Sequence, residues 1–130
     1  MKNGDILKMY EALVQIAEDK TQKFSVRVSY LFAKNKAALR EEASLIYSTR
    51  QKILMEYGNM DGNGDIVIPR EKIEEVNGKI NELMEIENNA QFEKMPLEWL
   101  DDYELSVEYT EALMPMLIEP LYTGPVLLDN

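Results

Sequence analysis

Asn59, Asp61, Asn63, Gly64 and Ile66 stand at positions one, three, five, six and eight of a twelve-residue stretch. That is the spacing at which an EF-hand loop folds oxygen ligands around calcium, with a helix on either side. The stretch departs from the pattern where the ion needs it most. Position twelve should supply a bidentate Glu; it is Arg70, with Glu71 one residue too late and Pro69 just before it. Position one is a neutral Asn. Without those carboxylates the stretch reads as a Gly/Asn turn joining two helices, and no tight calcium site is expected.

Paired carboxylates are the next candidates. Glu71 and Glu75 lie four apart, as do Glu104 and Glu108, with Glu111 three further on. Di-metal sites in helical bundles combine inward Glu residues with a Glu-x-x-His pair, and this chain has no His. It has no Cys either, so thiolate nucleophiles, thiolate or imidazole metal sites and His-based proton shuttles are excluded. The Glu residues flank an apolar stripe and read as a solvated helix face. A glycosidase-like pair would need a cleft that a helical hairpin of this size does not imply. No phosphate-cradling Gly loop or Ser elbow occurs. Gly62 and Gly64 sit in an acidic turn that repels phosphate. A non-enzymatic protein without cofactor or metal is expected.

The elements that would position such residues are helices. Residues 25–57 contain no Gly and no Pro, and Phe32, Leu39, Ile46 and Ile53 recur every seven positions. Leu31, Ala38 and Leu45 flank them on one side, Ala43 and Leu54 on the other. This spacing predicts one helix about 50 Å long with a single apolar stripe. The stripe needs other helices to cover it. Ser25 offers the N-cap, and Gly58 a left-handed C-terminal close.

Residues 5–19 carry Ile6, Tyr10, Leu13 and Ala17 at helical spacing, with Leu7 and Val14 beside them; Asn3 or Asp5 can cap this helix. Ile66, Val67 and Ile68 predict a short extended piece, and Pro69 suits the start of a helix over 70–87 with Ile73, Val76, Ile80 and Leu83 in its stripe. Leu39, Ile46 and Ile53 should then face that stripe across an antiparallel hairpin. Residues 91–95 read as a short strand, expected to pair with 21–24 as a ribbon. Leu97, Trp99 and Leu100 anchor an irregular stretch after Pro96. Ser106 caps a last helix over 107–118, which Pro115 should kink or stop early. Residues 120–130 hold two Pro and one Gly and are expected to form a flexible tail.

Within the 130 residues the charge is split. Residues 1–57 hold ten Lys/Arg against seven Asp/Glu, a net of +3; residues 58–130 hold four against seventeen, a net of −13. Glu93, Glu98, Asp101, Asp102, Glu104, Glu108 and Glu111 fall within nineteen positions. An acidic half argues against direct nucleic-acid binding and permits a basic protein partner or mimicry of nucleic acid. Met55, Met84, Met95, Met114 and Met116 offer either core filler or an adaptable surface. The run MPMLIEPLY, residues 114–122, is apolar on several faces and is a second candidate contact. The opening MKNGDILKMY lacks the apolar core of a signal peptide and no apolar run is long enough for a membrane span, so a soluble intracellular protein is expected.

The opening of the long helix reads Phe24-Ser25-Val26-Arg27-Val28-Ser29-Tyr30, followed by Ala33-Lys34-Asn35. Later come Gln51-Lys52-Ile53 before Glu56-Tyr57-Gly58, and Leu105-Ser106-Val107-Glu108 before Ala112-Leu113. Together these resemble a group of small, acidic, uncharacterised proteins from phages and prophages of Gram-positive bacteria, over most of residues 5–119. The resemblance implies a setting, the bacterial host cytoplasm or the virion, and carries no functional residues.

The expected architecture is mainly α: a long antiparallel helical hairpin with an N-terminal helix, a short C-terminal helix and one small two-stranded ribbon, in a single domain over residues 1–119. The expected function is a non-enzymatic protein–protein interaction, as an assembly or accessory factor. The alternative is an acidic, nucleic-acid-mimicking inhibitor of a host defence or DNA-binding protein. The residues expected to meet a protein partner are Glu98, Asp101, Asp102, Glu104, Glu108, Glu111, Met114, Met116 and Leu117.

Overall fold

Ser25 starts the long helix as its side chain allows, its Oγ accepting a hydrogen bond from the Val28 N–H at 3.2 Å. The helix, α2, then runs unbroken over Val26–Tyr57 in the computed structural model, which describes residues 1–118. The protein is mainly helical, as its periodicity predicts. The first helix, α1, spans Asn3–Glu18 and lies antiparallel on α2: Ile16 shares a groove with Ser29 and Phe32, while Glu11 reaches Tyr47. A two-residue ribbon follows α2, with β1 (Asn59–Met60) antiparallel to β2 (Ile66–Val67). A 3-10 turn over Arg70–Lys72, entered from Pro69, leads into α3 (Ile73–Met84). The chain returns through β3 (Met95–Pro96), a 3-10 turn at Leu97–Leu100, α4 (Val107–Leu113), a second 3-10 turn at Met114–Met116 and β4 (Leu117–Ile118).

The main core lies between α1, α2 and this C-terminal return. Ile6, Met9, Leu13, Val28, Leu39, Met95, Leu113 and Met116 are all but fully enclosed. The buried residues of α1 include Ile6, Met9, Leu13 and Ile16, whereas Ala17 is exposed and Tyr10 half-buried. The expected stripe was Ile6, Tyr10, Leu13 and Ala17. The face is turned by one residue at two positions because α4 also packs on α1 and widens the covered side. Asn3 is not a cap: it is buried inside the first turn, and the Asp5 carboxylate accepts from the Lys2 N–H at 3.3 Å.

On α2 the buried positions are Val28, Phe32, Asn35, Leu39, Ala43 and Ile46. Ile53 and Leu54 are half-buried, and Leu45 is exposed. The expected contact of Leu39, Ile46 and Ile53 with α3 is therefore only partly made. Val76 and Leu83 of α3 are buried, Ile80 is half-buried and Ile73 is exposed. α1, placed where it covers α2 as far as Tyr47, takes the larger share of the stripe.

Three local expectations are corrected. The helix expected over 70–87 ends at Met84, because Glu87 leaves to form an isolated antiparallel bridge with Lys2. The ribbon expected between 21–24 and 91–95 does not form. Asn35 occupies the Glu93 backbone, Gln22 bonds Glu104, and the strand Met95–Pro96 pairs parallel with Leu117–Ile118 instead. The last helix stops at Leu113, as Pro115 requires, but continues as a 3-10 turn and strand. The tail expected over 120–130, and residue 119 before it, lie outside the described residues.

Gly58 closes α2 for a reason other than left-handed freedom. Its φ is −117°, an ordinary extended value. What it lacks room for is a side chain: an added Cβ would stand 2.7 Å from both Ile66 Cγ2 and Ile68 Cδ1, and 2.8 Å from the Val67 carbonyl oxygen. Gly58→Ala should accordingly lower stability by about 1–3 kcal/mol through overpacking. Gly62→Ala, where nothing lies within 4 Å, serves as the control. Chemical denaturation of both variants checks this, and equal midpoints would show that the ribbon yields freely.

Candidate functional site

Asn35, in the middle of the apolar stripe, is fully buried. Its Nδ2 donates to the Glu93 carbonyl at 2.8 Å and its Oδ1 accepts from the Glu93 N–H at 2.7 Å. The side-chain amide thus satisfies both backbone groups of one residue, as a neighbouring strand would. Gln22 repeats the arrangement: its Oε1 accepts from the Glu104 N–H at 3.0 Å and its Nε2 donates to the Glu104 carbonyl. Asn3 makes a third fastening, donating to the Leu83 carbonyl at 2.9 Å and accepting from Asn88 Nδ2 at 2.8 Å.

Aromatic contacts add to these amide clamps. Phe24 packs on Phe32 and Tyr103, with centroids 5.3 and 4.6 Å apart, and the Tyr103 hydroxyl accepts from the Ser25 N–H at 2.7 Å. The Arg27 guanidinium lies 3.8 Å over the Trp99 ring. Tyr109 donates to Gln15 Oε1 at 2.8 Å. The C-terminal return is therefore pinned to α1 and α2 at several points.

What the pinned segment presents outward is acid. Glu98, Asp101, Asp102, Glu104, Glu108 and Glu111 are all exposed. Glu108 and Glu111 also line a groove of 460 Å³ between α1 and α4, facing Asp5 and Glu11, with Lys8 as its cation. Of the apolar candidates, Met114 is 40% exposed, but Met116 and Leu117 are packed inside the core. Met116 and Leu117 are thus structural, because β4 must turn inward to pair with β3. Met95 is core filler as well, whereas Met55 is exposed and Met84 half-buried.

The Gly/Asn turn holds itself together. Asp61 Oδ1 accepts from the Asn63 N–H at 2.8 Å and the Asp65 N–H at 3.0 Å, and Gly64 takes a φ of 83°. Among the described residues, no three acidic side chains gather closely enough to hold a metal ion, and no helix is long and apolar enough to cross a membrane. Among the described residues, the one large displacement of a titrating group is at Tyr47. Burial, then its 2.8 Å bond to Glu11 Oε2, pushes this phenol up to about 12. It locks α1 to α2.

The sequence signal for Asn35 is its place in the stripe: an amide at the spacing 28, 32, 35, 39 has to find partners if it is buried. Gln22 carried no such signal. Comparison of the chain with family models, curated proteins and solved structures finds no match.

Proposed function

We propose that this chain is a non-enzymatic interaction protein, an assembly or accessory factor of phage or prophage origin that holds a basic protein partner on its acidic ridge. The observation that carries the reading is that six carboxylates, Glu98, Asp101, Asp102, Glu104, Glu108 and Glu111, are all exposed on one short stretch that hydrogen bonds at Tyr103, Glu104 and Tyr109 fasten to α1 and to the connection before α2. Fixed charges of one sign steer association and select partners of the opposite sign.

The test starts from a pull-down out of host lysate, with and without phage structural proteins, followed by a salt series on the captured partner. Reversing Asp101, Asp102 and Glu104 to Lys should slow association by about tenfold or more while leaving stability nearly unchanged. Binding by the native chain should weaken as salt rises through physiological strength. Capture that ignores both salt and the triple reversal would defeat the reading.

A further inference from the structure

A lysine-rimmed groove adjoins the acidic stretch. Between the end of α1 and the start of α2 runs a groove of 660 Å³ with Lys20, Lys23 and Lys36 on its rim. Leu13, Ile16, Phe24 and Phe32 supply its apolar lining. Asp19 is the acid among the residues lining this groove, and its Oδ1 is already taken by the Thr21 N–H at 2.8 Å and the Thr21 hydroxyl at 2.7 Å. The rim is therefore net positive.

A second groove, of 600 Å³, adjoins it with Asp102 and Glu104 in its walls. The two share Ile16, Asp19, Gln22 and Phe24. The boundary between positive and negative is the clamp of Gln22 on the Glu104 backbone.

Adjacent patches of opposite sign have a particular symmetry. A two-fold axis through their boundary lays the positive patch of one copy on the negative patch of the other, and the reverse, in one closed contact. We propose that this face is the interface of a two-fold dimer, in which Asp102 and Glu104 of one copy meet the lysine rim of a second copy and the second copy's carboxylates meet the lysines of the first. The inference rests on the reading of the acidic ridge as a docking surface, and it names a basic partner for the ridge: the chain itself.

Sedimentation of the full chain across a concentration and salt series tests it. The native protein should dimerise at low salt and dissociate as salt rises. Lys20→Glu with Lys23→Glu should weaken dimerisation at least about tenfold, and so should Asp102→Lys with Glu104→Lys. A chain carrying all four changes has both patches inverted and should dimerise again, as should an equimolar mixture of the two double variants. A native chain that stays monomeric, that grows into open polymers, or whose fourfold variant is no better than either double variant would overturn the dimer. If a foreign partner is still captured in a salt-sensitive way that the ridge reversal removes, the ridge keeps its docking role and only its partner has been misassigned.

Discussion

Asn35→Ala should cost the fold about 1–3 kcal/mol, because it removes the partner of two part-buried backbone groups and empties a fully buried site. The Glu93 N–H and carbonyl meet Asn35 at 2.7 and 2.8 Å, from inside a side chain with no exposed surface. Nearby, Lys34 pairs with the Glu93 carboxylate at 3.0 Å, which raises the Lys34 ammonium above its ordinary value, but that pair is exposed and does nothing for the backbone. Hydrogen exchange gives the local reading: the Glu93 amide should be protected in the native chain and exchange freely in the variant.

Asn35→Asp separates the clamp from mere volume. An ionised carboxylate can accept from the Glu93 N–H but cannot donate to its carbonyl, so burial raises the folded-state pKa above the unfolded value. A group raised in the folded state contributes stability that is present below the unfolded pKa and lost as pH rises through the folded one. The deficit of Asn35→Asp relative to the native chain should therefore shrink in acid. A deficit that is constant with pH would mean that the amide is not the fastening.

The features legible in the sequence are those decided within a few residues. Ser25 and Ser106 cap their helices, with side chains accepting from Val28 and Tyr109. The Gly/Asn turn forms where its composition demands, and Pro115 ends the last helix. Each of these outcomes follows from one side chain and its neighbours in the chain. The pairing of β3 with β4, and of Gln22 with Glu104, joins residues far apart in sequence and depends on which backbone groups other side chains have already taken. Periodicity carries no information about that competition. The same limit explains the acidic ridge: its charges were plain in the sequence, but its attachment through Gln22, Tyr103 and Gln15 was not. Met116 and Leu117 looked like a surface because their burial depends on β4 finding β3.

Leu39→Ala should lower stability by about 2–5 kcal/mol, whereas Ile53→Ala should cost less than about 1.5 kcal/mol, although both lie in the same heptad stripe. Leu39 has no exposed surface, and its cost is the lost transfer energy of its side chain plus the cavity left in a core closed by α1 and the C-terminal return. Ile53 is half-buried at the far end of α2, beyond the last enclosed position, Ile46. There α3 is the principal cover, and Ile73 on that helix faces solvent. A residue already partly in water has less burial to lose and a site that water can refill. Denaturant midpoints and slopes for the two variants decide the matter. If Ile53→Ala proves as costly as Leu39→Ala, the distal half of the hairpin has a packed core of its own; the burial pattern requires the opposite, a rod anchored at its first two thirds with its tip resting on little more than α3 and the small ribbon.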